Sequence, residues 1–222
     1  VRCLAAGTAL LVGLSGCKET FVVVDMPFMS YQISVEQAMQ NAGRIMKETG
    51  ASAIKLEGGK EVCPQIRAIT AAGIPVVAHI GMTPQSVNAF GGFTVQGKGE
   101  ENARRVLEDA LAVQEAGAFA VTLECVPPKL SALITKKLDI ITIGIGASPE
   151  CDAQVLVWQD MLGISDFKPK FAKHFAEVGE TMREAFRAYD GEVKSGVFPA
   201  SEHTFVKSDC TEEFLASLDA EY

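Results

Sequence analysis

Basic blocks, ligand-spaced cysteines, histidines and long apolar runs are all scarce in this 222-residue chain, and each scarcity argues against a class of function. With 20 Lys and Arg against 28 Asp and Glu, the formal net charge is −8 and the pI near 5.0, which speaks against nucleic-acid binding through a basic surface. The six cysteines (Cys3, Cys17, Cys63, Cys125, Cys151, Cys210) form no CxxC pair and no Cys/His ligand spacing, so neither a zinc site nor a disulfide framework is expected. They suit reduced thiols in a cytoplasmic protein. Beyond residue 19 no segment is apolar and long enough to span a bilayer.

Residues 1–19 differ from the rest. Val1-Arg2 precedes an apolar run over residues 3–14 that is too short for a membrane span but has the pattern of a secretory signal, and Leu14-Ser15-Gly16-Cys17 resembles a lipoprotein cleavage box. A helix or strand packed on the core, or a start that replaces native sequence, are the alternatives. Three segments follow: an atypical start at 1–19, a catalytic domain over 20–207, and an acidic tail at 208–222.

The chain does contain a repeated pattern of short β-branched runs that end in one polar residue. They are Phe21-Val22-Val23-Val24-Asp25, Ala53-Ile54-Lys55-Leu56-Glu57, Ile74-Pro75-Val76-Val77-Ala78-His79, Phe119-Ala120-Val121-Thr122-Leu123-Glu124 and Ile140-Ile141-Thr142-Ile143-Gly144. Nearly all-apolar strands of this length are buried on both faces, as in a parallel sheet. Helical patterns lie between them at about 34–49, 61–72, 100–116 and 129–137, with Ser34 and Gln37 as a capping box; a sixth strand is expected at 154–158 and two amphipathic helical stretches at 170–194. This is an α/β chain of βα units, whose chemistry belongs at the carboxyl ends of its strands.

Lys55 and Glu57, two apart in one strand, share a face. An exposed pair of this kind is a surface salt bridge worth about 0–1 kcal/mol. The recurrence of polar strand ends at Asp25, His79 and Glu124 favours convergence on one rim instead. Asp25 and Glu57 offer the carboxylate oxygens that Mg²⁺ takes, and Lys55 a point charge for an anionic keto acid. Glu124, beside Leu123 and Cys125, suits a general base raised by desolvation, with a structural ion pair as its alternative. His79 reads equally as a hydrogen-bonded structural residue or a substrate contact. The long connection at 81–98, rich in Gly and small polar residues, suits a binding loop. Gly144-Ile145-Gly146 lacks the third glycine and the acidic partner of a dinucleotide fingerprint, and is read as a close approach to a small ligand.

Five blocks, Asp25-Met26-Pro27-Phe28-Met29-Ser30-Tyr31, Lys55-Leu56-Glu57-Gly58-Gly59, His79-Ile80-Gly81-Met82-Thr83-Pro84-Gln85, Leu123-Glu124-Cys125-Val126-Pro127 and Ile143-Gly144-Ile145-Gly146-Ala147, closely resemble the ketopantoate (3-methyl-2-oxobutanoate) hydroxymethyltransferases. Phe198-Pro199-Ala200-Ser201-Glu202-His203 resembles that family's carboxyl-terminal end. The resemblance implies a TIM-type (β/α)8 barrel that makes ketopantoate for pantothenate and coenzyme A, with Mg²⁺ as cofactor and 5,10-methylenetetrahydrofolate as co-substrate. It further implies cytoplasmic homo-oligomers, commonly decamers. Carried over, Asp25 is a metal ligand that also touches substrate, Lys55 a substrate contact, Glu57 a metal ligand and Glu124 the proton acceptor; His79 falls in a matching block. The family's first two βα units, the second ending in Gly-Asp-Ser, are not found in residues 1–19, so the expected architecture is a barrel lacking them. An impaired remnant, or a binding protein anchored to a membrane through a lipidated Cys17, is the alternative function.

Overall fold

The computed structural model describes residues 20–205 and 210–222, so the expected signal or cleavage box at 1–19 lies outside the described residues. Six strands form a single all-parallel sheet in sequential order. They are β1 (Val23–Asp25), β2 (Ala53–Glu57), β3 (Val76–Gly81), β4 (Ala120–Glu124), β5 (Ile141–Ile145) and β6 (Ala153–Gln154). Helices α1 (Val35–Glu48), α2 (Cys63–Ala71), α3 (Glu100–Glu115) and α4 (Pro128–Lys137) cross between successive strands. After β6 come a short α5 (Trp158–Met161), then α6 (Val178–Ser195) and α7 (Glu212–Glu221).

Alternation along the strands divides the core in two. Ile54, Leu56, Val76, Ala78, Val121 and Leu123 pack with Ala38 and Ala42 of α1, Ile66 and Ile69 of α2, Val106, Ala110 and Val113 of α3 and Ile134 of α4. Each buried Ile, Leu or Val among them contributes roughly 1.5–3 kcal/mol, which is what holds the helices to one face. The other face carries Val77, Ala120, Ile143, Ile145 and Val155 as a smaller apolar cluster. By the same alternation, this second face also takes Asp25, Glu57 and Glu124, which end their strands, and Lys55 and His79, two residues before the ends of theirs.

The chain divides into two compact units. One reaches to Met161 and includes Phe167–Lys173; the other holds Leu162–Asp166 and His174–Tyr222. The first contains the whole sheet. In the second, α6 ends at Gly196 in a left-handed C-cap. Among the described residues no helix is long and apolar enough to cross a membrane.

Several elements depart from the sequence reading. The sixth strand is shorter than expected, Ala153–Gln154: the Val155 amide still donates to the Gly144 carbonyl (3.0 Å) as the last ladder bond to β5, and Trp158 opens a helix. The two helical stretches expected at 170–194 are one helix that starts at Val178, the residues from 170 to 177 being turns and irregular chain. Ser34 caps α1 by accepting from the Gln37 amide at 3.1 Å, but the Gln37 side-chain oxygen is buried without a hydrogen bond, so only half of the capping box forms. The close approach expected at Gly144 and Gly146 is made by the chain itself: added Cβ atoms would meet Gln154 at 2.9 Å and the Phe171 ring at 2.9 Å.

Candidate active site

The strand ends bring four of the five singled-out side chains into one continuous chain of contacts. Parallel register sets Asp25 beside Lys55, Glu57 beside His79 and Gly81 beside Glu124. The Lys55 ammonium lies 2.6 Å from Asp25 Oδ1 and 3.2 Å from His79 Nδ1. A protonated lysine only donates, so Nδ1 accepts and the ring proton resides on Nε2. That Nε2 is 3.2 Å from Glu124 Oε2, within ion-pair range but off the line of a hydrogen bond. His79 is 3 % and Glu124 7 % exposed, so neither contact is diluted by bulk water. Asp25 Oδ1 is likewise buried and lacks an aligned hydrogen bond.

Glu57 is held separately. Its Oε2 accepts from the Gln85 amide at 2.9 Å, at the start of the 3-10 turn Pro84–Ser86. Its own backbone amide donates to the Tyr31 hydroxyl at 3.1 Å. Burial pushes the Glu57 carboxyl above the usual carboxylate range; His79, the Gln85 amide and Lys55 pull it back, and Asp25 adds to the rise. Burial likewise raises the Tyr31 phenol, with Glu57 and Asp25 contributing, so the hydroxyl stays protonated.

Glu124 leads directly into a constrained turn. Cys125 adopts φ 50°, a left-handed conformation uncommon outside glycine. It is fixed by its amide donating to the Ile145 carbonyl at 2.9 Å and its carbonyl accepting from the Gln96 amide at 2.9 Å. The Glu124 carbonyl also accepts from Met82 at 2.8 Å. An added Cβ at Gly81, φ 88°, would run into that carbonyl, so only glycine fits beside the Glu124 strand end. The Cys125 thiol is pushed up to about 11 by burial and by Glu124, and stays a neutral thiol. Residues 81–98 are tied to the strand ends at both extremities, through Gln85 and Gln96.

Among the described residues, no group of three or more His, Cys, Asp and Glu is arranged to hold a metal ion. A Mg²⁺ site commonly needs only one or two protein carboxylates, completed by water and substrate oxygens. The buried Asp25 Oδ1 without an aligned hydrogen bond, with Glu57 two positions beyond its β2 partner Lys55, fits such a two-carboxylate donor set. Tyr31 and Gln85 were not singled out from the sequence. Both stand in loops, and their signal was only their presence in the Asp25–Tyr31 and His79–Gln85 motif blocks.

The sequence profile of the family described as ketopantoate hydroxymethyltransferase matches residues 10–201. A 3-methyl-2-oxobutanoate hydroxymethyltransferase from Clostridium novyi (strain NT) is 62% identical over 191 residues, covering 86% of this chain and 70% of that one. Proteins of the same name from Enterococcus faecalis (strain ATCC 700802 / V583) and Clostridium botulinum (strain Alaska E43 / Type E3) are 61% identical over 195 residues and 58% over 191, covering 87% and 86% of this chain and 71% and 70% of theirs. A solved isomerase from Streptomyces coelicolor A3(2) aligns at a TM-score of 0.36 and 15% identity, over 55% of this chain and 32% of that one, a likeness too slight to carry an argument. At this identity and coverage, the chain belongs to the ketopantoate hydroxymethyltransferase family.

Proposed function

We propose that the chain transfers a hydroxymethyl group from 5,10-methylenetetrahydrofolate to 3-methyl-2-oxobutanoate, giving ketopantoate for pantothenate synthesis. The observation that carries this reading is the buried chain Asp25, Lys55, His79, Glu124, which sets a carboxylate at one end and a candidate metal ligand at the other. Glu124 is the base: its carboxylate takes the proton from C3 of the keto acid, and the electron pair passes into the C2 carbonyl. Lys55 faces the negative charge of the carboxylate and the developing enolate. Water releases the one-carbon unit at the formaldehyde level, its oxygen staying on carbon as both C–N bonds break and its two protons pass to the nitrogens of the departing tetrahydrofolate; the C3 carbon then adds to that carbonyl, and the resulting alkoxide takes the proton held by Glu124. Asp25 and Glu57 would hold Mg²⁺, which supplies Lewis acidity toward the keto and carboxylate oxygens.

The finer architecture belongs to the same proposal. Six sequential parallel strands with crossing helices are six of the eight units of a (β/α)8 barrel, and the assembly is a cytoplasmic homo-oligomer. Solvent deuterium exchange at C3, followed by NMR with keto acid and Mg²⁺, isolates the proton-transfer step without folate. Wild type should exchange, and Glu124→Gln, which keeps size and shape, should bind keto acid but exchange about 10²–10⁴ times more slowly. Equal rates in the two would remove Glu124 from the mechanism.

A further inference from the structure

The polar cluster around Glu57 converges on one side chain that the proposed chemistry does not use. Gln85 Nε2 donates to the Met26 carbonyl at 2.8 Å, which fixes the amide orientation, because a carbonyl can only accept. Its Oε1 then accepts from the Tyr31 hydroxyl at 2.8 Å and from Gln32 Nε2 at 3.2 Å. Its backbone amide donates to Glu57 Oε2. Tyr31 closes the loop, since its oxygen accepts from the Glu57 amide while its single proton has Gln85 Oε1 at 2.8 Å against the Glu57 carbonyl at 3.0 Å. Tyr31 is fully buried. The loop at 26–32, the turn at 84–86 and Glu57, the last residue of β2, are therefore joined by one glutamine whose Nε2, Oε1 and backbone amide each make a hydrogen bond.

A surface loop of small polar residues would not hold its amide on a carboxylate unaided, because each backbone residue it fixes costs roughly 1–2 kcal/mol in conformational entropy. The Gln85 side chain supplies the restraint from the opposite side of the turn. We infer that Gln85 is a positioning residue whose side chain, paired with Tyr31, pins the turn after β3 and thereby fixes the Glu57 carboxylate for the divalent cation it holds. The inference rests on the proposed role of Glu57. Outer partners of this kind orient ligating carboxylates, and their loss typically weakens metal binding about 10–100-fold.

The test is Mg²⁺ titration by calorimetry, in the presence of 3-methyl-2-oxobutanoate, on wild type, Gln85→Ala, Tyr31→Phe, the double variant and Glu57→Gln, together with amide hydrogen exchange at residue 85. Gln85→Ala should keep the wild-type circular dichroism, weaken Mg²⁺ about 10–100-fold and speed exchange of the residue-85 amide. Tyr31→Phe, a smaller change that keeps the core volume, should shift both readouts the same way, and the double variant should be no worse than Gln85→Ala, since residues in one network do not add. Wild-type Mg²⁺ affinity in both Gln85→Ala and Tyr31→Phe, with binding lost in Glu57→Gln, overturns the positioning role alone. A lower melting temperature with unchanged affinity makes Gln85 merely structural and also overturns it. Wild-type affinity in Glu57→Gln overturns the ligand reading beneath it.

Discussion

At the scale of single residues, Lys55 is the junction of the site, because one ammonium serves Asp25 at 2.6 Å and His79 at 3.2 Å. The geometry is that of a compact point charge with donors in different directions, and a planar guanidinium cannot reproduce it at the same length. Lys55→Arg should therefore fail as a conservative change. Keto acid affinity, read by calorimetry, should fall about 10–100-fold, the worth of one hydrogen bond to a charged group at roughly 1.5–3 kcal/mol. Wild-type affinity in the arginine variant would show that Lys55 acts by charge alone. The residues of this chain were legible because each lies in or ends an apolar run, where a charge must have a partner or a task. Tyr31 and Gln85 were not, since their partners lie 26 to 59 positions away across loops, where no periodicity links them.

At the scale of elements, the exit from β2 is welded to α3. Gly59 packs so closely on Asp109 that a Cβ there would collide with its carboxylate, and the Lys60 amide donates to Asp109 Oδ1 at 3.1 Å. Gly59 leaves room for a side chain 50 positions on, which a local reading of the diglycine cannot see. Burial raises the Asp109 carboxyl above its ordinary 3.8, helped by Glu61 and opposed by the Lys60 amide. The folded state thus holds this proton more tightly than the unfolded chain does. Its contribution to stability is full below that ordinary value and is lost as pH rises through the raised one. Asp109→Asn keeps the acceptor for Lys60 without the buried charge. It should flatten the fall in melting temperature above about pH 4 and melt higher at pH 7, by about 2–4 °C for each kcal/mol relieved. A variant that melts lower at pH 7 would mean that attraction to Lys60 and Arg105 outweighs burial. The helices that follow strands were legible from their apolar stripes, whereas β6 was drawn too long, because Val155-Leu156-Val157 has strand composition but the helix that opens at Trp158 cuts it short.

At the scale of the whole molecule, the sheet and every candidate site residue belong to one compact unit, while α6 and α7 belong to another. Trp158, the single tryptophan of the chain, sits in α5 within the first unit and is 38 % exposed, so its emission reports that unit's unfolding. A ligand that binds only folded protein stabilises it by RT ln(1 + [L]/Kd), about 2.7 kcal/mol at a hundredfold excess over Kd. Mg²⁺ with 3-methyl-2-oxobutanoate at that excess should raise the Trp158-detected midpoint by roughly 5–10 °C. Each alone should do less, because the cation completes its coordination with substrate oxygens. If calorimetry resolves two transitions, the one coincident with Trp158 should be the one that moves, since no proposed ligand contact lies in the second unit. A shift confined to the other transition would put the binding site outside the strand ends, and an unmoved Trp158 midpoint at saturating ligand would leave the Asp25, Lys55, Glu57 cluster without its keto acid.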